Sequence, residues 1–384
     1  MTMLHATTIS AAFVFGMILA LLGSLKLALA KKLNLGEGRV GFLLSAFNGA
    51  VIPLMLLAGI LIDLLGVRVV LIFGSLMTAV AVGSLGLRAT SERAFGSLLL
   101  AALGSAGLGA AAVVLMPRAF FGVDRLASAS INLGCVFMAL GALVTPVLWD
   151  VLVRLLEFRR AAGVLAVLCL APALAAAAPE QFPNFAASGA DLGALLTNGD
   201  LWLIGLIFLF YAPLEGALSV WATTYLTDLG QGERGAQWVL SMFWGAFLAS
   251  RLGIALLLHW ASSPYLEAWL LVTAGVLAAA VLGNLVGTGH RSAAGVSLVL
   301  LGLTLGPIFP TVVGLTFCIA PTAPGTAYGV VFTMGSIGSL VMAPLVGAKA
   351  RRTGVQSALF IPMILALALA AIALVAALTV TLRA

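Results

Sequence analysis

Residues 59–68 read Gly59-Ile60-Leu61-Ile62-Asp63-Leu64-Leu65-Gly66-Val67-Arg68, with long apolar runs on both sides. Gly59 and Gly66 permit a tight turn and close approach of neighbouring helices. Asp63 is suited to a helix N-terminus or a nearby arginine, and Arg68 to an opposite charge or a lipid phosphate. The flanking runs are about 20 residues long, which is the length that crosses a bilayer as a helix. The segment therefore reads as a turn at a membrane surface.

The same alternation continues outward in both directions. Apolar runs fall at 8–30, 41–62, 69–87, 96–117, 128–148 and 160–178, then at 201–226, 237–258, 267–286, 293–319, 328–348 and 357–381. Between the two sets lies a more polar stretch with Glu180, Asn184, Ser188, Asp191 and Asn198. The expected fold is an all-α membrane protein of twelve transmembrane helices in two pseudo-symmetric six-helix bundles. Residues 1–178 form one bundle, 201–384 the other, and 179–200 a cytoplasmic linker.

Composition excludes the common soluble classes. Of 384 residues, 62% are hydrophobic and 8% charged, against about 25% charged in an ordinary soluble domain. The mean hydropathy is +1.20. The net charge of +6 would suggest nucleic acid in a soluble protein. Here the basic residues flank apolar runs, where they meet lipid headgroups, so membrane lipid is the expected partner and nucleic acid is not. Cys135, Cys169 and Cys318 all lie in apolar stretches, so buried thiols without a disulfide framework are expected. His5, His259 and His290 lack metal-ligand spacing, and no metal or cofactor is expected. The Gly104-Ser105-Ala106-Gly107-Leu108-Gly109 run lacks the setting of a phosphate loop. No Ser/His/Asp constellation is visible, so the chain is not read as an enzyme. Ala28-Leu29-Ala30 resembles a cleavage site, but no basic residue precedes the apolar run and the run is too long for a signal sequence.

The two halves echo each other. Leu44-Ser45-Ala46-Phe47-Asn48-Gly49-Ala50 returns as Leu240-Ser241-Met242-Phe243-Trp244-Gly245-Ala246, at an offset of 196. Gly36-Glu37 matches Gly232-Glu233. Val136-Phe137, Gly141 and Pro146 in the fifth run have counterparts in Val331-Phe332, Gly338 and Pro344 in the eleventh. Two related bundles suit alternating access, with a solute bound between them near mid-membrane.

In the loop between the second and third runs, residues 59–68 resemble the Gly-x-Leu-x-Asp-x-x-Gly-x-Arg signature of the major facilitator superfamily. The resemblance implies secondary transport, with Gly59, Asp63, Gly66 and Arg68 forming a latch that helps hold an outward-open state. Leu64 and Val69 stand where the family often has further basic residues, which implies a weaker latch. A finer resemblance, to the fucose-permease-like sugar/proton symporter branch, rests on the second half of the chain. It is carried by Tyr211-Ala212-Pro213-Leu214-Glu215-Gly216 with Trp221 and Thr224-Tyr225-Leu226, and by Phe243-Trp244 with Ser250-Arg251-Leu252. Gly306-Pro307-Ile308-Phe309-Pro310-Thr311 and Gly335-Ser336-Ile337-Gly338 before Pro344 complete it. This branch implies a small polar solute, a sugar or sugar derivative, coupled to protons, with sodium the alternative ion. Pro213, Pro307, Pro310 and Pro344 are candidate hinges, where missing backbone bonds allow bending.

Glu215 is the sharpest single residue. It lies near the middle of its run, where a carboxylate is expensive and normally functional. It is the candidate proton-coupling group, and Arg251 on the neighbouring helix is its candidate partner. Arg251 could instead bind an anionic solute or snorkel to the interface. Gln237, Ser241, Trp244, Leu248 and Arg251 form one stripe of their helix. Asn48, Asn132, Tyr211, Trp244, Thr311 and Tyr328 are the candidate solute ligands. For the amides, holding helices together is the competing role, and for Trp244 it is core packing. Lys26, beside Lys31 and Lys32, reads as snorkelling.

With an even span count and the signature loop inside, both termini face the cytoplasm, as in a monomeric protein of a prokaryotic inner membrane. Of the 19 basic residues, five then fall inside and fourteen outside, the reverse of the positive-inside rule. The signature loop outweighs this statistical rule. The rival readings are a drug or lipid exporter or an organic-anion carrier on the same fold, and, from another class, a membrane receptor or scaffold that moves nothing.

Overall fold

In hydrocarbon the backbone has no hydrogen-bond partner but itself, so long apolar runs become helices. The computed structural model describes residues 3–33, 37–87, 91–122, 126–178, 182–183 and 192–383. The side chains of Lys26, Lys31, Lys32 and Arg39 lie outside what is described, as do residues Glu180, Asn184, Ser188 and Asp191. In chain order the helices are α1 (Met3–Leu33), α2 (Glu37–Leu65), α3 (Val67–Gly86), α4 (Ser91–Phe120), α5 (Ala127–Leu168), α6 (Ala171–Ala176) and α7 (Leu192–Thr197). They continue as α8 (Gly199–Asp228), α9 (Glu233–Ala261), α10 (Pro264–Gly287), α11 (Arg291–Leu305) and α12 (Ile308–Ile319). The last are α13 (Pro324–Thr353), α14 (Val355–Ala358) and α15 (Phe360–Arg383). No strand occurs among the described residues.

Among the described residues, 11 helical stretches are long and apolar enough to span a membrane, where the sequence suggests twelve. The difference lies at 127–176, a continuous stretch interrupted at Glu157, whose φ of 62° and ψ of 162° are not helical. A non-glycine residue at positive φ is uncommon, and here it marks a kink between two helical segments. Counting the two sides of Glu157 separately restores the expected number. α5 also outlasts its expected end at 148. Asp150 and Arg154 end nothing, because they pair along the helix at 2.8 Å, an i,i+4 arrangement that supports it. The expected span 293–319 is divided at Gly306-Pro307 into α11 and α12. Cys135 and Cys169 are buried as expected, but Cys318, near the end of α12, is exposed; none of the three is in a disulfide.

The internal repeat extends to whole elements. α2 and α9 are both 29 residues long and begin 196 residues apart. α8 likewise begins 196 residues after α1. By their contacts the residues fall into two compact units. The first is Met1–Gly122, Gly134–Leu192 and Pro321–Gly329; the second is Val123–Leu133, Gly193–Ala320 and Val330–Ala384. α5 and α13 thus each contribute to both units.

Small residues bring helices to backbone contact, which is the usual means of association where no hydrophobic effect acts between helices. In the first unit, a Cβ at Gly59 of α2 would strike the carbonyl of Gly325 in α13, and one at Gly325 the carbonyl of Gly59. α3 and α4 meet in the same way at Gly74 and Gly104. Gly163, by contrast, has open space where a Cβ would go. Alanine normally stabilises a helix relative to glycine, so the two sites should differ in sign. Gly59→Ala is expected to lower the melting temperature of the purified protein by roughly 5 °C through overpacking. Gly163→Ala should leave it unchanged or raise it.

Candidate functional site

Hydroxyl, amide and charged groups are scarce in these helices, so each one's partner is informative. In the second unit, Glu215 lies half-buried near the centre of α8. The Tyr211 hydroxyl, one turn earlier, and the Arg251 guanidinium of α9 are the polar groups that act on its carboxyl. The Ser219 hydroxyl, one turn later, donates to the Glu215 backbone carbonyl at 2.9 Å. Tyr211 is itself buried and stacked on Phe208, with ring centroids 5.8 Å apart.

Arg251 does not snorkel to the interface. It is 8% exposed, its guanidinium lies over the Phe247 ring at 4.4 Å, and its Nε donates to the Gly306 carbonyl at 2.8 Å. That carbonyl has a specific need. In a helix it would accept from the amide four residues on, which is Pro310, and proline has no N–H. Arg251 supplies the missing donor at the α11–α12 break. α9 can come this close because Gly306 has no side chain: a Cβ there would strike the Phe247 carbonyl and the Ser250 hydroxyl.

In the first unit the signature loop is built from helix ends. Asp63 is 4% exposed at the end of α2. Its two carboxylate oxygens accept from the Gly325 amide at 3.0 Å and the Thr326 amide at 2.6 Å, in the first turn of α13. Gly66 turns the chain with a φ of 90°, a conformation that favours glycine. Among the described residues, Arg68 is held by backbone carbonyls. Its Nε donates to the Ala176 carbonyl at 2.8 Å, and Nη2 to those of Ala177 and Ala178 at 3.2 and 3.0 Å. Its guanidinium also lies over the Phe182 ring at 5.4 Å. An anion on a helix N-terminus and a cation on the carbonyls at the C-terminal end of α6 are the arrangement that helix dipoles and orphaned backbone groups favour.

The six candidate solute ligands divide sharply. Asn48 on α2 is exposed, and Trp244 on α9 is 38% exposed, edge-on against Phe243 and Phe247. The other four are sealed in helix packing: Tyr211, Thr311 and Tyr328 are each 1% exposed and Asn132 has no exposed surface. Asn132 donates through Nδ2 to the Ser128 carbonyl at 2.9 Å within its own helix, while its Oδ1 has no partner. A polar side chain in such a helix bundle saves most by facing inward, and these four do so here.

Sequence reasoning missed one residue altogether. Glu267, in the first turn of α10, is 2% exposed. It accepts from Ser128 Oγ of α5 at 2.5 Å and from Ser262 Oγ at 2.8 Å. α5 is also pressed onto α12 there, since a Cβ at Gly314 would strike Ser128. At the repeat offset, Asp63 corresponds to His259, so the second copy places its carboxylate differently. The signal available was a lone acid two residues before the aromatic Trp269, which reads equally well as a water-facing helix start.

Residues 8–343 match the family model of the Major Facilitator Superfamily. No curated protein sequence matches the chain. Among solved structures, FucP, described as a Major Facilitator Superfamily transporter in the outward conformation, superimposes with a TM-score of 0.81 at 18% identity. The match covers 97% of this chain and 98% of that one. A second FucP structure, of the E. coli fucose:proton symporter, gives 0.78 at 19% identity, with coverage of 97% and 98%. XylE, a proton:xylose symporter bound to 6-bromo-6-deoxy-D-glucose, gives 0.72 at 11% identity, with coverage of 96% and 94%. At these identities the likeness is one of fold.

The Gly306 carbonyl allows a compensation test. Arg251→Leu removes its donor and should destabilise the protein by about 1–3 kcal/mol, read as a lower melting temperature. Adding Pro310→Ala restores a backbone N–H four residues on. The double variant should recover about half of the loss, the remainder reflecting the partner taken from Glu215. A double variant no more stable than Arg251→Leu would contradict the assignment.

Proposed function

Because the chain belongs to the major facilitator superfamily, a family of membrane transporters, we propose that it moves a small polar solute, a sugar or sugar derivative, by proton-coupled alternating access. The observation that carries this reading is Glu215, an ionisable side chain near the middle of a 30-residue membrane helix, beside Tyr211 and in the field of Arg251. A carboxyl at such depth is normally part of an ion or proton path. The fold likeness to FucP and XylE, described as fucose:proton and proton:xylose symporters, supports sugar and proton as the first substrates to try.

In this reading the bundles 1–178 and 201–384, joined by a cytoplasmic linker at 179–200, rock about a solute near mid-membrane. Asn48 and Trp244 meet the solute first; Asn132, Tyr211, Thr311 and Tyr328 join as helices shift. Gly59, Asp63, Gly66 and Arg68 form the latch, with Asp63 holding the start of α13 and Arg68 bracing the turn from behind. The protein works as a monomer in a prokaryotic inner membrane with both termini in the cytoplasm. An organic-anion carrier is less well supported, because the Arg251 guanidinium is already committed to the Gly306 carbonyl and the Phe247 ring.

Proteoliposomes with an imposed inward proton gradient test the proposal, with fucose and xylose as the first labelled probes in a panel of sugars and sugar acids. The wild-type protein should concentrate at least one of them. Glu215→Gln should exchange that solute across the membrane at near-normal rate yet accumulate none above equilibrium. Undiminished accumulation by Glu215→Gln would end the coupling role of this residue.

A further inference from the structure

Glu267 of α10 is a carboxyl at 2% exposure in the second unit. Among the described residues its partners are the hydroxyls of Ser128 and Ser262, and no basic side chain acts on it. α10 packs on α11, α12 and α15, whose ionisable residues are Arg291, Cys318 and Arg383. Arg291 starts α11 beside the far end of α10, Cys318 is exposed, and the Arg383 side chain lies outside the described residues. α5 contributes no ionisable residue between Ala127 and Leu133, and His259 of α9 and Tyr265 of α10 are exposed. Hydroxyl groups ease the burial of a carboxylate but bring no positive charge. A buried ion is normally paired or gives up its charge.

The polar groups placed beside this carboxyl offer oxygen. The Thr311 carbonyl of α12 lies 3.4 Å from Ser128 Oγ. Asn132, one turn on from Ser128, has no exposed surface. Its Nδ2 donates to the Ser128 carbonyl, which turns the amide back toward that residue, while its Oδ1 has no partner. A buried acceptor left without a donor is costly and uncommon. A cavity of about 360 Å³, lined in part by Thr311, Leu270 and Leu271, comes within one turn of Glu267 along α10. Hard cations take oxygen ligands, and membrane carriers hold sodium ions or protons on such groups.

From this arrangement we propose that Glu267 is a second cation site, holding one sodium ion or one proton where α5, α10 and α12 meet. Either cation balances the buried carboxylate. A sodium ion also uses the lone pairs of the Ser128 hydroxyl and of Asn132 Oδ1; a proton needs only the carboxyl. The inference deepens the transport reading, in which Asn132 and Thr311 are solute ligands and the cation therefore lies beside the solute. Binding of the cation does not depend on that reading.

The test uses the purified full-length protein without solute. One arm measures binding of radioactive sodium by scintillation proximity. The other records the infrared C=O stretch of protonated carboxyls in sodium-free buffer. Saturable sodium binding or a protonated-carboxyl band should be present, and Glu267→Gln should abolish it while Glu215→Gln keeps it. Asn132→Leu should weaken sodium binding about tenfold, the worth of one ligand contact, and should leave a carboxyl band in place. If Glu267→Gln fails to fold, Ser262→Ala makes the assignment, because losing a donor to the carboxyl should shift its band or weaken sodium binding by a similar factor. The proposal is overturned if neither signal is found, if the signal survives Glu267→Gln, or if Ser262→Ala leaves it unchanged.

Discussion

Hydrocarbon supplies neither donors nor acceptors, so a backbone group released inside the membrane by a proline must find a partner within the protein, and at helix ends side chains can take the role that water otherwise fills. The described structure meets that demand with dedicated side chains. Asp63 accepts from the first amides of α13. Arg68 donates to the carbonyls at and just beyond the C-terminal end of α6. Arg251 donates to the carbonyl that Pro310 leaves open. Ser75 bridges the turn before α6, donating to the Cys169 carbonyl and accepting from the Ala173 amide. With only 8% charged residues in the chain, few side chains remain for anything else. Glu215 is therefore notable: it answers no broken helix bond of its own, yet sits where a carboxyl is costly.

The same constraint explains what was legible in the sequence. Helix positions followed from apolar length alone, and the turn at Gly66 from its glycine. Asp63 could be matched to a helix N-terminus by charge, though nothing local said that the helix would be α13, more than 260 residues away. Pro307 and Pro310 marked a bend, but the donor that closes it comes from α9, and pairing between distant helices leaves no trace in periodicity. Arg251 consequently read as ambiguous. Glu267 was passed over because a carboxylate at a helix start looks solvated, and only the approach of α5 through Gly314 buries it. Asn132, Thr311, Tyr211 and Tyr328 looked like solute ligands by chemistry. Their burial depends on which face of each helix meets a neighbour, and uniformly apolar surroundings do not encode that.

The repeat separates scaffold from function. α2 and α9 keep the same length and spacing, so the backbone plan is duplicated. The polar groups are not. Asn48 of the first copy corresponds to Trp244 in the second, and Asp63 to His259. A carboxylate still holds α5 in the second unit, but it comes from Glu267 on the next helix. Duplicated helices with unlike side chains thus share a backbone plan and differ in the polar groups they carry.

The claim on which the functional account turns is that solute and proton move together. It is tested most directly by adding a transported sugar to de-energised proteoliposomes while recording lumenal pH. With the sugar gradient as the only driving force, coupling predicts acidification of the lumen as sugar enters, collapsing with a protonophore. Sugar entry at full rate with a flat pH trace would contradict it.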